Sequence, residues 1–145
     1  MSCQNFYFND ARDGLNWRTR LVFRSFMKYK STRGQVADLG FSDALLMGLA
    51  SDGGLLVPET IPDVRSELEH WRDLNFVELA QELIPKFIDD IDSQTLRGLI
   101  AESYASFSHA DVVALQDLDG ISVLELFHGP TLAFKDVALQ LLGKL

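Results

Sequence analysis

Between Ile121 and Leu142 the hydrophobic period of the chain changes across one short turn. Ile121 to Phe127 is a β-like apolar run, Gly129-Pro130 is a turn signal, and beyond Asp136 the residues Val137, Ala138, Leu141 and Leu142 fall on one helical face. A strand that gives way to a helix through so brief a turn is the strongest local constraint on what this chain can fold into. Lys135 sits where the turn enters the helix. Backbone N–H groups at a helix start carry partial positive charge, which disfavours a second positive charge nearby. A lysine held there is expected to shed its proton more readily than one in water, and a neutral amine is the form that makes a Schiff base with an aldehyde. The other reading is an ordinary solvated lysine, and the local pattern leaves both open.

The residues around Lys135 carry paired readings too. Thr131 offers a hydroxyl to a ligand or stabilises the turn. Phe134 offers a ring to a ligand or fills the core. Asp136 caps the following helix or pairs with a cation. His128 orients groups in the loop or serves as a turn residue.

Upstream, Val112–Leu115 and Ile121–Phe127 read as strands joined through Asp117-Leu118-Asp119-Gly120, and Asp-Gly is a hairpin signal. Three helical patterns precede them. Val64–Arg72 is short. Phe76–Phe87 places Phe76, Leu79, Ala80, Leu83, Ile84 and Phe87 on one face, with Asn75 and Glu78 spaced as a capping box and Pro85 interrupting its end. Gln94–Phe107 aligns Leu96, Leu99, Ile100, Ser103 and Phe107, with Ser93 as its expected cap. Residues 27–34 read as a short strand or arm. Phe41–Ala50 reads as an amphipathic helix capped by Ser42, with Ala44, Leu45, Met47 and Leu49 on its buried side. Ser51-Asp52-Gly53-Gly54 stops it, and Leu55-Leu56-Val57 is extended up to Pro58. Gly53 and Gly54 serve backbone conformations that other residues resist, or a close approach to ligand.

Other chemistries lack their signatures. His70, His109 and His128 have no metal-ligand spacing, and Cys3 has no partner. No Gly-x-Ser-x-Gly elbow, Walker loop or dinucleotide glycine pattern occurs. The Asp89-Asp90-Ile91-Asp92 cluster lacks EF-hand spacing and reads as a solvated helix end.

Two stretches carry a resemblance. Glu125-Leu126-Phe127-His128-Gly129-Pro130-Thr131-Leu132-Ala133-Phe134-Lys135-Asp136 resembles the cofactor-lysine segment of threonine synthases, pyridoxal-phosphate enzymes of fold type II. Lys28-Tyr29-Lys30-Ser31-Thr32-Arg33-Gly34, Phe41-Ser42-Asp43-Ala44 and Gly48 to Pro58 resemble that family's amino-terminal region, in the same order. Ser51 departs from the pattern, which has proline there. The resemblance covers Met27 to Leu145. It implies an α/β enzyme in which Lys135 binds pyridoxal 5'-phosphate, with Phe134, Thr131 and Asp136 as further cofactor-site candidates. It implies O-phosphohomoserine as the small-molecule substrate, and threonine and phosphate as products. Residues 27–110 are then an amino-terminal domain that is mainly helical. Residues 111–145 are the hairpin and first helix of a truncated cofactor domain, and the fragment alone is expected to be inactive. The alternatives are a phospho-lyase on the same scaffold and a non-catalytic interaction domain.

Charge separates the ends. Residues 1–33 hold seven Lys/Arg against two acidic residues, a balance of +5, and the remainder holds six against nineteen, a balance of −13. An acidic body repels nucleic acid and anionic membranes at long range, so neither is an expected partner. No apolar run is long enough to span a bilayer. The lone cysteine fits a reducing compartment, and a cytoplasmic location is expected. Residues 1–26 read as an extension, either a variable or over-called start upstream of Met27 or, less in keeping with Asp10 and Asp13, a basic targeting segment. The sequence sets no oligomeric state.

Overall fold

A computed structural model describes residues 26–145. The readings of the extension before Phe26 lie outside the described residues. Strand β1 (Tyr29–Ser31) pairs antiparallel with β2 (Leu56–Pro58), in a register that sets Tyr29 opposite Pro58 and Ser31 opposite Leu56. Tyr29 and Ser31 face inward and Lys30 outward, the period-two alternation of a half-buried strand. The loop after Ala50 is tied to β1 through Asp52. Its carboxylate accepts from the Ser31 hydroxyl at 2.7 Å, the Gly54 amide at 2.9 Å and the Gln35 amide at 3.1 Å. The Ser31 hydrogen bond does most to hold the Asp52 pKa below its ordinary value. Gly53 is left-handed at φ 77°, and a Cβ on Gly54 would collide with the Ser31 hydroxyl. Both glycines are therefore accounted for by backbone shape and packing.

Helix α1 (Phe41–Met47) starts where the sequence indicates but stops earlier, because Gly48 turns left-handed at φ 67° and its amide closes on the Ala44 carbonyl. Its cap is not Ser42. Asp90, distant in sequence, accepts the Ser42 amide at 2.8 Å, and Asp89 accepts the Met27 amide at 2.6 Å. The aspartate cluster is thus partly engaged in tying down the chain's entry. Of the side chains expected inside, Ala44 is buried, whereas Met47 and Leu49 are exposed.

Helix α2 (Leu68–Trp71) is one turn, shorter than its pattern suggests. Helix α3 (Phe76–Leu83) carries the expected capping box: Asn75 Oδ1 accepts the Glu78 amide at 3.0 Å, and Glu78 Oε2 accepts the Asn75 amide at 2.9 Å. Pro85 lies in a 3₁₀ turn (Ile84–Lys86) that ends it. Asn75→Ala removes one arm of that box, and we expect a loss of about 0.5–2 kcal/mol in denaturant unfolding. No change in stability would show that packing alone holds the helix start.

Helix α4 (Ser93–Tyr104) is capped one residue earlier than expected, by Asp92, which accepts the Thr95 amide at 2.9 Å. Its inner face is the centre of the molecule. Leu96 and Ile100 are 0% exposed and lie in a core with Ala80, Ile88, Tyr104, Val112 and Leu141. Arg97 bridges to Glu82 at 2.8 Å, which binds α4 to α3.

Strands β3 (Ala114–Leu118) and β4 (Ile121–Glu125) form the expected antiparallel hairpin. Asp119 and Gly120 turn it with φ values of 47° and 86°, as a two-residue primed turn requires. Before it, Val112 is buried at φ 61°, a conformation a β-branched residue resists, so the strand starts at Ala114 and not at Val112. The hairpin buries only Ala114 and leaves Leu115, Leu118, Ile121, Val123 and Leu124 exposed. Helix α5 (Asp136–Leu142) is the last element described. Among the described residues, no helix is long and apolar enough to cross a membrane.

Candidate functional site

The loop from β4 to α5 is held at both ends. At its upstream end the His128 carbonyl accepts the Ser108 amide at 2.9 Å and the Ser108 hydroxyl at 3.1 Å. The His128 ring meets Glu125 Oε2 at 2.7 Å and lies between the rings of Phe127 and His109, at centroid distances of 4.7 and 4.8 Å. His128 thus fastens the strand end to the loop that follows α4.

At the downstream end the Asp136 side chain turns back into the loop. It is 3% exposed and accepts the Thr131 amide at 2.7 Å, the Thr131 hydroxyl at 2.8 Å and Gln140 Nε2 at 3.2 Å. Burial pushes the Asp136 pKa up, but the hydrogen bonds from Thr131 and Gln140 outweigh it and hold the carboxyl below its ordinary value. Gly129 is pressed against this carboxylate, and a Cβ there would overlap Asp136. Between the two ends Leu132 adopts φ 60°, which costs a residue with a Cβ about 1 kcal/mol.

Thr131 and Asp136 are therefore brought together and bonded to each other. Leu132 and Phe134, 72% and 65% exposed, face outward. Lys135 is exposed as well, at the position preceding α5, with its carbonyl accepting the Leu139 amide at 2.8 Å. Among the described residues its amine has no ion-pair or hydrogen-bond partner. An unprotonated amine so placed is free to add to a carbonyl carbon, the chemistry an aldehyde cofactor would use.

The helix behind the lysine is fixed to the core. The Tyr104 hydroxyl donates to the Val137 carbonyl at 3.0 Å, and burial raises its pKa, so it remains a donor at neutral pH. Leu141 packs into the α4 core, and Lys144 reaches Glu102 at 3.1 Å. Sequence reasoning missed Gly129, Tyr104 and Gln140 as supports of the loop. Gly129 beside Pro130 reads as a turn signal, and nothing local marks the crowding that excludes a side chain.

Comparison with known proteins identifies the family of the chain. The family described as "Threonine synthase N terminus" matches residues 28–104, more than half of the chain. The threonine synthase of Schizosaccharomyces pombe is 46% identical over 125 residues, covering 83% of this chain and 24% of that protein. The threonine synthase of Pseudomonas aeruginosa is 50% identical over 122 residues, covering 82% and 26%. The crystal structure of PLP-bound threonine synthase from Brucella melitensis superposes with a TM-score of 0.77 at 45% identity, covering 81% of this chain and 26% of that one. The chain spans about a quarter of the length of the relatives it matches. With more than half of the chain matched by that family's model, the chain belongs to the threonine synthase family, in its amino-terminal region.

Proposed function

We propose that this chain supplies the cofactor lysine of a threonine synthase, which converts O-phospho-L-homoserine and water to L-threonine and phosphate with pyridoxal 5'-phosphate. The observation that carries the reading is the exposed Lys135 amine at the joint of turn and helix, without a partner among the described residues, in a chain of this family. Lys135 would hold the aldehyde of the cofactor, and Phe134, whose ring is exposed, is a further candidate to line the site. Thr131 and Asp136 belong to the same site. When bound, pyridoxal phosphate supplies an electron sink for the substrate carbons. The amine of Lys135 would move protons at the α and β carbons of the substrate, and one base near both positions suffices for that traffic. Residues 27–110 act as the amino-terminal domain and residues 111–145 as the opening of an α/β cofactor domain. The family match ending at residue 104 supports that division. The same reading places the enzyme in the cytoplasm.

The test grafts residues 27–145 onto the remaining three quarters of the Pseudomonas aeruginosa relative and supplies O-phosphohomoserine with pyridoxal phosphate. We expect phosphate and threonine in equal amounts. Phosphate with a keto acid assigns the graft to the phospho-lyase alternative. Failure to release phosphate, from a graft that is folded, overturns the enzymatic reading.

A further inference from the structure

We infer that Asp136 is a positioning residue: it locks the Gly129–Lys135 loop in the shape that presents the lysine amine, with Thr131 as its partner. This rests on the functional reading above. Asp136 is buried and, among the described residues, pairs with no cation. A buried carboxylate without a counter-ion is unfavourable unless several donors converge on it. Here the donors are the Thr131 amide, the Thr131 hydroxyl and Gln140. Two of the three come from one residue of the loop, so the hydrogen bonds close a ring from Thr131 through Asp136 and back along the chain. Lys135 lies inside that ring, next to its closing residue.

Two independent features fit a loop under constraint. Leu132 is held at φ 60°, and such a residue persists only where its surroundings over-determine it. Gly129 leaves no room for a Cβ beside the carboxylate, so the loop and Asp136 are fitted to each other on two sides. An asparagine at 136 keeps the size but loses the charge. With its Oδ1 at the Thr131 amide it aims its NH₂ group at Gln140, which must turn its amide to accept, and the charge-assisted hydrogen bonds become weaker neutral ones. A valine at 131 keeps the shape and loses the hydroxyl, while a serine keeps the hydroxyl.

The experiment uses the full-length graft with Asp136→Asn, Thr131→Val and Thr131→Ser. Amide hydrogen exchange is followed without cofactor, and the visible absorbance of protein-bound pyridoxal phosphate is titrated separately. We expect Asp136→Asn to speed exchange in residues 129–136 roughly tenfold while the α4 amides of Leu96 and Ile100 are unchanged. Asp136→Asn and Thr131→Val should each weaken cofactor binding about tenfold and lower kcat more than they raise KM, and Thr131→Ser should restore both. Unchanged exchange overturns the inference. So does faster exchange with normal cofactor binding, or faster exchange throughout α4, which marks general destabilisation. An unsubstituted graft that shows no cofactor absorbance overturns the functional reading and the inference together. Normal absorbance in wild type and variants alike overturns the inference alone.

Discussion

Lys135→Ala in the full-length graft is expected to lower kcat by on the order of 10³-fold and to abolish the visible absorbance of bound pyridoxal phosphate. The residue is exposed, so stability should change little. Lys135→Arg sharpens the result. It keeps the positive charge and most of the length, but guanidinium stays protonated and does not act as a nucleophile. If either variant retains the absorbance, the covalent attachment lies elsewhere and Lys135 is a surface residue. If Lys135→Arg retains activity while Lys135→Ala does not, charge and not nucleophilicity is what the site uses.

Ile100→Ala carries the second large effect, on stability. Its side chain is fully buried in the α4 core, and truncation leaves a cavity there. The expected loss is about 2–5 kcal/mol, read as a lower denaturant midpoint at unchanged slope. The same core seats Tyr104 and Leu141, which hold α5 in place, so the loss should extend to weaker cofactor binding. A loss below about 1 kcal/mol would mean that the site collapses to fill the space, and that the helical layer is softer than its burial indicates.

The sequence was most readable where structure is made by near neighbours. Asn75 and Glu78 cap α3 as their spacing indicates, and Asp119-Gly120 turns the hairpin. Lys135 stands at the start of a helix because the change from apolar run to Gly-Pro turn to helical stripe is written within a few residues. Contacts between distant residues were not readable. Ser42 has the chemistry of a cap, yet Asp90 from another part of the chain takes that role, and no local rule ranks the two. Met47 is at helical spacing from Ala44 but faces outward, since periodicity identifies an apolar face without saying what covers it, and Leu49 lies beyond the end of α1. Asp92 displaces Ser93 as the α4 cap by a shift of one residue, the usual uncertainty at a helix end. In the loop, the inward turn of Asp136 depends on packing against Gly129 that only the folded chain reveals.

The hairpin has one further consequence. Among the described residues its strands pair only with each other, and their side chains project from both faces with little beneath them. Free edges of this kind are templates for a neighbouring strand. Handled without the other three quarters of its relatives' length, the polypeptide therefore offers itself for lateral stacking between copies, and clumping would begin at the β-ribbon well before the helices melt.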